Sequence, residues 1–259
     1  MERTILNTIR ALDTSDGAGV RLKRALGYNP MVRLDPFLML DAFSSDNPDD
    51  YIAGFPPHPH RGFETVTYLM EGHMKHRDHL GNEGDLQQGG VQWMTAGRGI
   101  IHEEMPQQQD GLLRGFQLWI NLPAAEKMKA AGYRDITDTE IPRLDLPTGG
   151  QIKAIAGEVT IGNQVIKAPV NGGSTDPLYL DVKLRAGETV TVPLTQGYNA
   201  FLYLFEGQVS VAGEGVKSDH LATFTDGDKI SLVAGDHGAR LLLLAGKPIG
   251  EPIAQYGPF

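Results

Sequence analysis

The sequence contains no cysteine. Disulfides, thiolate metal ligands, iron–sulfur clusters and cysteine nucleophiles are therefore excluded. It also lacks any apolar run of 18 residues, and Met1-Glu2-Arg3-Thr4-Ile5-Leu6 lacks the apolar core of a signal peptide. A cytoplasmic protein with no membrane partner is expected. Positive charge is in deficit, with 23 Lys and Arg against 32 Asp and Glu and a net charge of -9. That balance argues against direct nucleic-acid binding. Finally, there is no G-x-S-x-G, no Walker A loop and no H-E-x-x-H. Gly97-Arg98-Gly99 lacks the downstream glycine and helix of a dinucleotide loop.

What is present is punctuation. Thirty-two glycines and sixteen prolines are scattered between short apolar segments, the texture of an all-β sandwich or barrel. Strands are expected at Ile5 to Leu12, Val20 to Ala25, a run from Asp35 to Asp41, Thr65 to Glu71, His73 to His79, Val91 to Met94 and Phe116 to Leu122. The fifth and fourth of these read as a hairpin turning at Gly72. Only Pro123 to Gly132 looks helical, with Lys127 and Lys129 on its solvated face. Polar, proline-containing sequence through Gly150 reads as a linker, after which strands resume at Ile152 and continue to Leu244. The expectation is two domains, residues 1–135 and 136–259.

The chemistry concentrates in Pro57-His58-Pro59-His60-Arg61-Gly62-Phe63-Glu64. Residues i and i+2 of a strand share a face, so His58 and His60 can converge. A second pair at the same spacing, His102 and Glu104, follows in Gly99-Ile100-Ile101-His102-Glu103-Glu104. Periodicity selects Glu104 over Glu103, which points the other way. Three imidazoles and one carboxylate suit a first-row divalent ion: iron, nickel, copper, cobalt, manganese or zinc. On an octahedral ion they leave two positions open, and the resulting charge of about +1 favours an anion such as an enolate or phenolate. Glu64, four residues after His60, is a fifth ligand, an outer partner or a base. His73, His76 and His79 sit beside a turn and read as solvated or structural. Trp93, Phe116 and Trp119 read as core.

A tandem repeat supports the metal reading. Gly62-Phe63 and Tyr68-Leu69-Met70-Glu71-Gly72 recur as Gly197-Tyr198 and Tyr203-Leu204-Phe205-Glu206-Gly207. Aligning Met94-Thr95-Ala96-Gly97 with Leu232-Val233-Ala234-Gly235 extends it less securely. Pro193, Thr195, Arg240 and Leu242 then stand opposite His58, His60, His102 and Glu104. The second copy keeps the strand pattern without the ligands, so the fold does not require them.

Taken together, His58-Pro59-His60-Arg61-Gly62-Phe63-Glu64-Thr65-Val66, Gln92-Trp93-Met94-Thr95-Ala96-Gly97-Arg98-Gly99-Ile100 and His102-x-Glu104-Met105-Pro106 resemble the pirins of the cupin superfamily. Asp35-Pro36-Phe37-Leu38 and the terminal Gly257-Pro258-Phe259 match as well. The resemblance implies a bicupin: two tandem β-sandwich barrels, with one non-haem metal, usually Fe(II), held by His58, His60, His102 and Glu104 in the first. It further implies an enzyme that opens flavonols such as quercetin with dioxygen; a monomer is expected, with Glu104 or Glu64 taking the hydroxyl proton. The alternative is an iron-dependent, redox-responsive regulator that docks a protein partner. Pirins commonly continue past Gly-Pro-Phe with a partly helical segment, whereas this sequence stops at Phe259, a difference on which stability or oligomeric state can depend.

Overall fold

The computed structural model describes residues 1–29 and 32–254, so the Gly257-Pro258-Phe259 match lies outside the described residues. The described chain is almost entirely strand, and its helical pieces are three single-turn 3-10 segments. No described helix is long and apolar enough to cross a membrane. Two compact units emerge. One comprises Leu12–Arg33, Phe37–Glu140 and Ile249–Phe259; the other comprises Met1–Ala11, Leu34–Pro36 and Ile141–Pro248.

This partition differs from contiguous domains at 1–135 and 136–259. The strand Ile5–Arg10 pairs with His220–Phe224, so the first residues build the second unit. Ala11 follows that strand, and Leu12–Asp16 pairs with Val20–Leu26 in the first. The expected linker is also structured. Gly132–Ile136 is an edge strand on Val91–Thr95, and Arg143–Asp145 pairs with Gln151–Ala156. Polar composition is what exposed edge strands carry, which is why the segment reads as a linker.

The first unit is a sandwich of a seven-stranded and a four-stranded antiparallel sheet. The larger runs Gly132–Ile136, Val91–Thr95, Phe63–Glu71, Leu113–Asn121, Phe37–Ser45, Val20–Leu26, Leu12–Asp16. The smaller runs Phe55–His60, Ile100–Pro106, His73–Asp78, Glu83–Gln87. The hairpin expected around Gly72 is instead a corner: Phe63–Glu71 lies in one sheet and His73–Asp78 in the other. Gly72 makes that corner with φ +108, open to glycine at little cost. The helix expected over Pro123 to Gly132 is reduced to one turn, Ala124–Glu126. Lys127 is not solvated, because its Nζ donates to Gly62 O at 2.9 Å and Asn121 Oδ1 at 2.6 Å. Those long-range bonds outweigh helix propensity.

The second unit repeats the order of the larger sheet, with Ile5–Arg10, His220–Phe224, Asn199–Val211, Lys229–Gly246, Leu178–Leu184, Gln151–Ala156 and Arg143–Asp145. The topology corrects the weaker half of the repeat alignment. Val91–Thr95 corresponds to His220–Phe224, both flanking the repeat strand. The strand carrying His102 and Glu104 therefore corresponds to the start of Lys229–Gly246, where that strand pairs with Thr189–Pro193 as Ile100–Pro106 pairs with Phe55–His60. Arg240 and Leu242 belong further along, beside the repeat strand. The inward-facing side chains of the matching strands include Val190, Val192, Val211, Ile230 and Leu232, all members of one buried apolar core. The conclusion that the second copy lacks the ligands stands on this corrected register.

Gly97 shows how tightly the first unit is closed. Its φ is +52, and a Cβ there would collide with the carbonyl oxygen of Lys129. Gly97→Ala is expected to destabilise by about 1–3 kcal/mol through the strained backbone alone. Gly81→Ala, also at positive φ but with open space around it, should cost less. Thermal unfolding of both variants checks this; equal melting temperatures would contradict the close approach.

Candidate metal centre

His58 and His60 project from Phe55–His60. Across the ladder His102 stands opposite His58 and Ile100 opposite His60, which brings the second pair alongside the first. A bulge follows His102, placing Glu104 opposite Phe55. The ring centroids of His58 and His60 lie 4.7 Å apart, those of His58 and His102 4.3 Å, and those of His60 and His102 5.0 Å. Donor atoms of these three residues fall within 4.8 Å of one another, close enough to share one cation. His60, His102 and Glu104 are buried, at 2%, 1% and 1% exposure, so whatever they bind is shielded from bulk water.

Glu104 belongs to a second group. Its carboxylate lies within the same limit of His102 and His76, and His76 is its partner on the neighbouring strand His73–Asp78. The two groups share His102. The four expected ligands are thus assembled around one residue, with His76, which the sequence reading placed among solvated or structural histidines, inserted beside them and fully buried. The other two histidines of that cluster lie away from the centre. His73 contacts Asp85 at 2.5 Å, and His79 Nδ1 accepts the Ile101 N–H at 3.0 Å.

The protonation states suit a cation. Burial pushes the His102 pKa down, as do the neighbouring imidazoles His58, His60 and His76. Burial also lowers that of His76. Neutral rings leave nitrogen lone pairs available. His58 Nδ1 lies 2.8 Å from Pro56 O, and a carbonyl can only accept, so Nδ1 carries the proton and Nε2 is left as a donor to metal. His102 Nε2 is buried with no hydrogen-bond partner. A buried polar atom without a partner is costly, and a bound cation removes that cost. The donor set and this orphaned nitrogen fit a divalent ion.

Glu104 is fixed from the larger sheet. Thr67 Oγ1 lies 2.9 Å from Glu104 Oε1 and 2.7 Å from Gln117 Oε1, one proton serving two acceptors. Gln117 Nε2 donates to Glu104 Oε2 at 3.3 Å. Glu64 is elsewhere. Its carboxylate takes the Thr95 hydroxyl at 2.5 Å and the Trp93 indole N–H at 3.3 Å, with Lys129 Nζ 3.8 Å away. It joins neither metal-capable group. Strand alternation puts it on the face opposite Thr65 and Thr67.

A cavity of about 740 Å³ meets the centre at His58 and His60. Phe43, Phe55 and Trp119 contribute aromatic wall, and Gln117 links that wall to Glu104. Trp119 is therefore not simply core: its indole lies 5.1 Å from the His60 ring and 4.5 Å from Phe63. Phe116 is core, at 2% exposure. Arg24, also in the wall, is gripped by Asp41 through bonds of 2.8 and 2.7 Å, and its Nη2 reaches Asp16 at 2.7 Å. Hydrogen bonding to Asp41 holds its pKa above the usual value, so it is a fixed cation.

Comparison with known proteins gives this architecture relatives. Residues 19–120 match the Pirin family and residues 179–259 the Pirin C-terminal cupin domain. A Pseudomonas aeruginosa protein provisionally named a quercetin 2,3-dioxygenase is 51% identical, across 99% of this chain and 91% of its own length. Human pirin is 39% identical over 97% of this chain and 85% of its own. Among solved structures, a quercetin 2,3-dioxygenase from Acinetobacter baumannii superposes with a TM-score of 0.91 at 31% identity, covering 100% of this chain and 92% of that one.

The support beneath Glu104 is directly testable. Thr67→Val removes the hydroxyl while keeping the shape, and is expected to weaken divalent-metal binding by about 10–100-fold. Competition with a chromophoric chelator measures it; wild-type affinity in the variant would show that Thr67 does not orient the carboxylate.

Proposed function

This chain belongs to the pirin family, and we propose that it is a metal-dependent dioxygenase that opens flavonols such as quercetin. The observation that carries the reading is the cavity of about 740 Å³ with aromatic walls that ends on His58 and His60. That volume is typical of small-molecule sites, and polar groups converge at one end of it. The names of the Pseudomonas and Acinetobacter relatives support the same substrate class.

His58, His60, His102 and Glu104 would hold a divalent ion, Fe(II) being the expected one. When bound, such an ion supplies Lewis acidity that lowers the pKa of the flavonol 3-hydroxyl and a centre at which dioxygen can react. The remaining work falls to the protein. Phe55, Phe43 and Trp119 offer flat apolar surface to the fused rings and keep water from them. Glu104 is the carboxylate at this centre, and Thr67 and Gln117 hold it in place to accept the 3-hydroxyl proton. Glu64 has no part in that transfer, because it joins neither metal-capable group and lies on the strand face opposite Thr67. Arg24, held by Asp41 and Asp16, adds a charged hydrogen-bonded cluster to the wall, a polar side for the hydroxyl groups of a polyphenol. The heterocycle is cleaved and carbon monoxide released.

The test is oxygen-dependent loss of quercetin absorbance with carbon monoxide detected as co-product. Turnover is expected to vanish in folded His60→Ala and to fall by about 10²–10⁴-fold in Glu104→Gln, which cannot take the proton. Glu64→Gln should retain it. Unchanged turnover in His60→Ala would remove the assignment.

A further inference from the structure

We propose that His76 is the positioning residue of the metal centre, fixing which nitrogen His102 turns toward the ion. The inference rests on the metal reading of the site and adds a residue to it. His76 Nδ1 lies 3.3 Å from His102 Nδ1, inside the protein. Two neutral imidazole nitrogens at that separation share one proton, one donating and the other accepting. If His102 binds an ion through its orphaned Nε2, the proton must be on Nδ1, which then donates to His76 Nδ1. His76 in turn keeps its own proton on Nε2, which has no hydrogen-bond partner and lies 4.0 Å from Asp78 Oδ2. The Nδ1–Nδ1 contact then has one direction, and it leaves the His102 Nε2 lone pair free for the ion.

The arrangement is held from outside. The His76 ring is fully buried and stacks on Tyr133 with centroids 4.6 Å apart and planes at 26°. Tyr133 is itself fixed, donating its hydroxyl proton to Asp135 and accepting from Gln92 Nε2 at 3.1 Å. The stack holds the plane of the His76 ring beside His102. Pairing opposite Glu104 across the ladder places it against both a ring and a carboxylate of the centre. In the second unit the corresponding strand position is taken by Val211, within an apolar core. The imidazole is therefore no requirement of the fold.

Co(II) is the probe, because its visible spectrum reports coordination as well as occupancy. Wild type, His76→Asn, His76→Gln and His76→Leu are titrated against a competing chelator, with circular dichroism confirming the fold. The asparagine amide sits where Nδ1 does, whereas that of glutamine lies one bond further out. His76→Leu and His76→Gln are expected to bind Co(II) about 10–100-fold more weakly with an altered spectrum, and His76→Asn to restore both. The Asn and Gln variants decide the matter if His76→Leu does not fold. Wild-type affinity and spectrum in His76→Leu or His76→Gln would overturn the inference. So would failure of His76→Asn to rescue, which would make His76 a direct ligand or a packing element. A wild-type protein that binds no Co(II) would overturn the metal reading itself, a result distinct from either.

Discussion

Burying ionisable side chains is the cost around which the first unit is arranged. His60, His76, His102 and Glu104 all lie within the sandwich at 2% exposure or less. Such groups are tolerated in an interior only when each is neutral, hydrogen-bonded or bound to a cation. The structure shows the first two answers and leaves room for the third. Burial keeps the His102 and His76 rings neutral. Thr67 and Gln117 satisfy Glu104. His102 Nε2 and His76 Nε2 have no hydrogen-bond partner, and the lone pair of the former is open to an electrophile.

The second unit shows what the same topology does without that constraint. Its sheet follows the same order, yet the matching strands carry Val190, Val192, Val211, Ile230 and Leu232 in a continuous apolar core. Thr189–Pro193 alternates threonine outward and valine inward, the ordinary pattern of a strand with one buried face. One unit thus spends its interior on packing and the other on a site. Cavity, carboxylate and imidazoles occur together in the latter, and the functional reading rests on that coincidence.

Much of this was legible in the sequence, and the failures have definite causes. Within an unbroken strand, period two holds: His102 and Glu104 are buried and Glu103 between them is not. It fails across corners. Glu64 is four residues from His60, but Gly62 at φ +85 lies between two sheets, and parity does not survive that break. His76 was missed by attention to the nearby turn. Alternation did mark it: Met74 and His76 are buried, while Lys75 and Arg77 are not. The repeat alignment slipped because the corresponding connections differ in length. Gln107 to Leu112 intervene between two strands of the first unit, where the second runs through one long strand, Lys229–Gly246. Domain boundaries were hidden for a related reason, since the partner of Ile5–Arg10 lies more than two hundred residues away, at His220–Phe224.

The central claim is that one divalent ion sits among His58, His60, His102 and Glu104. Anomalous diffraction from crystals of the protein as purified, collected on either side of the absorption edge of the bound metal, tests it most directly. The account predicts a single anomalous peak within coordination distance of those four side chains and none among Val190, Val192 and Ile230 of the second unit. A peak elsewhere, or none in a protein that turns over quercetin, would contradict it.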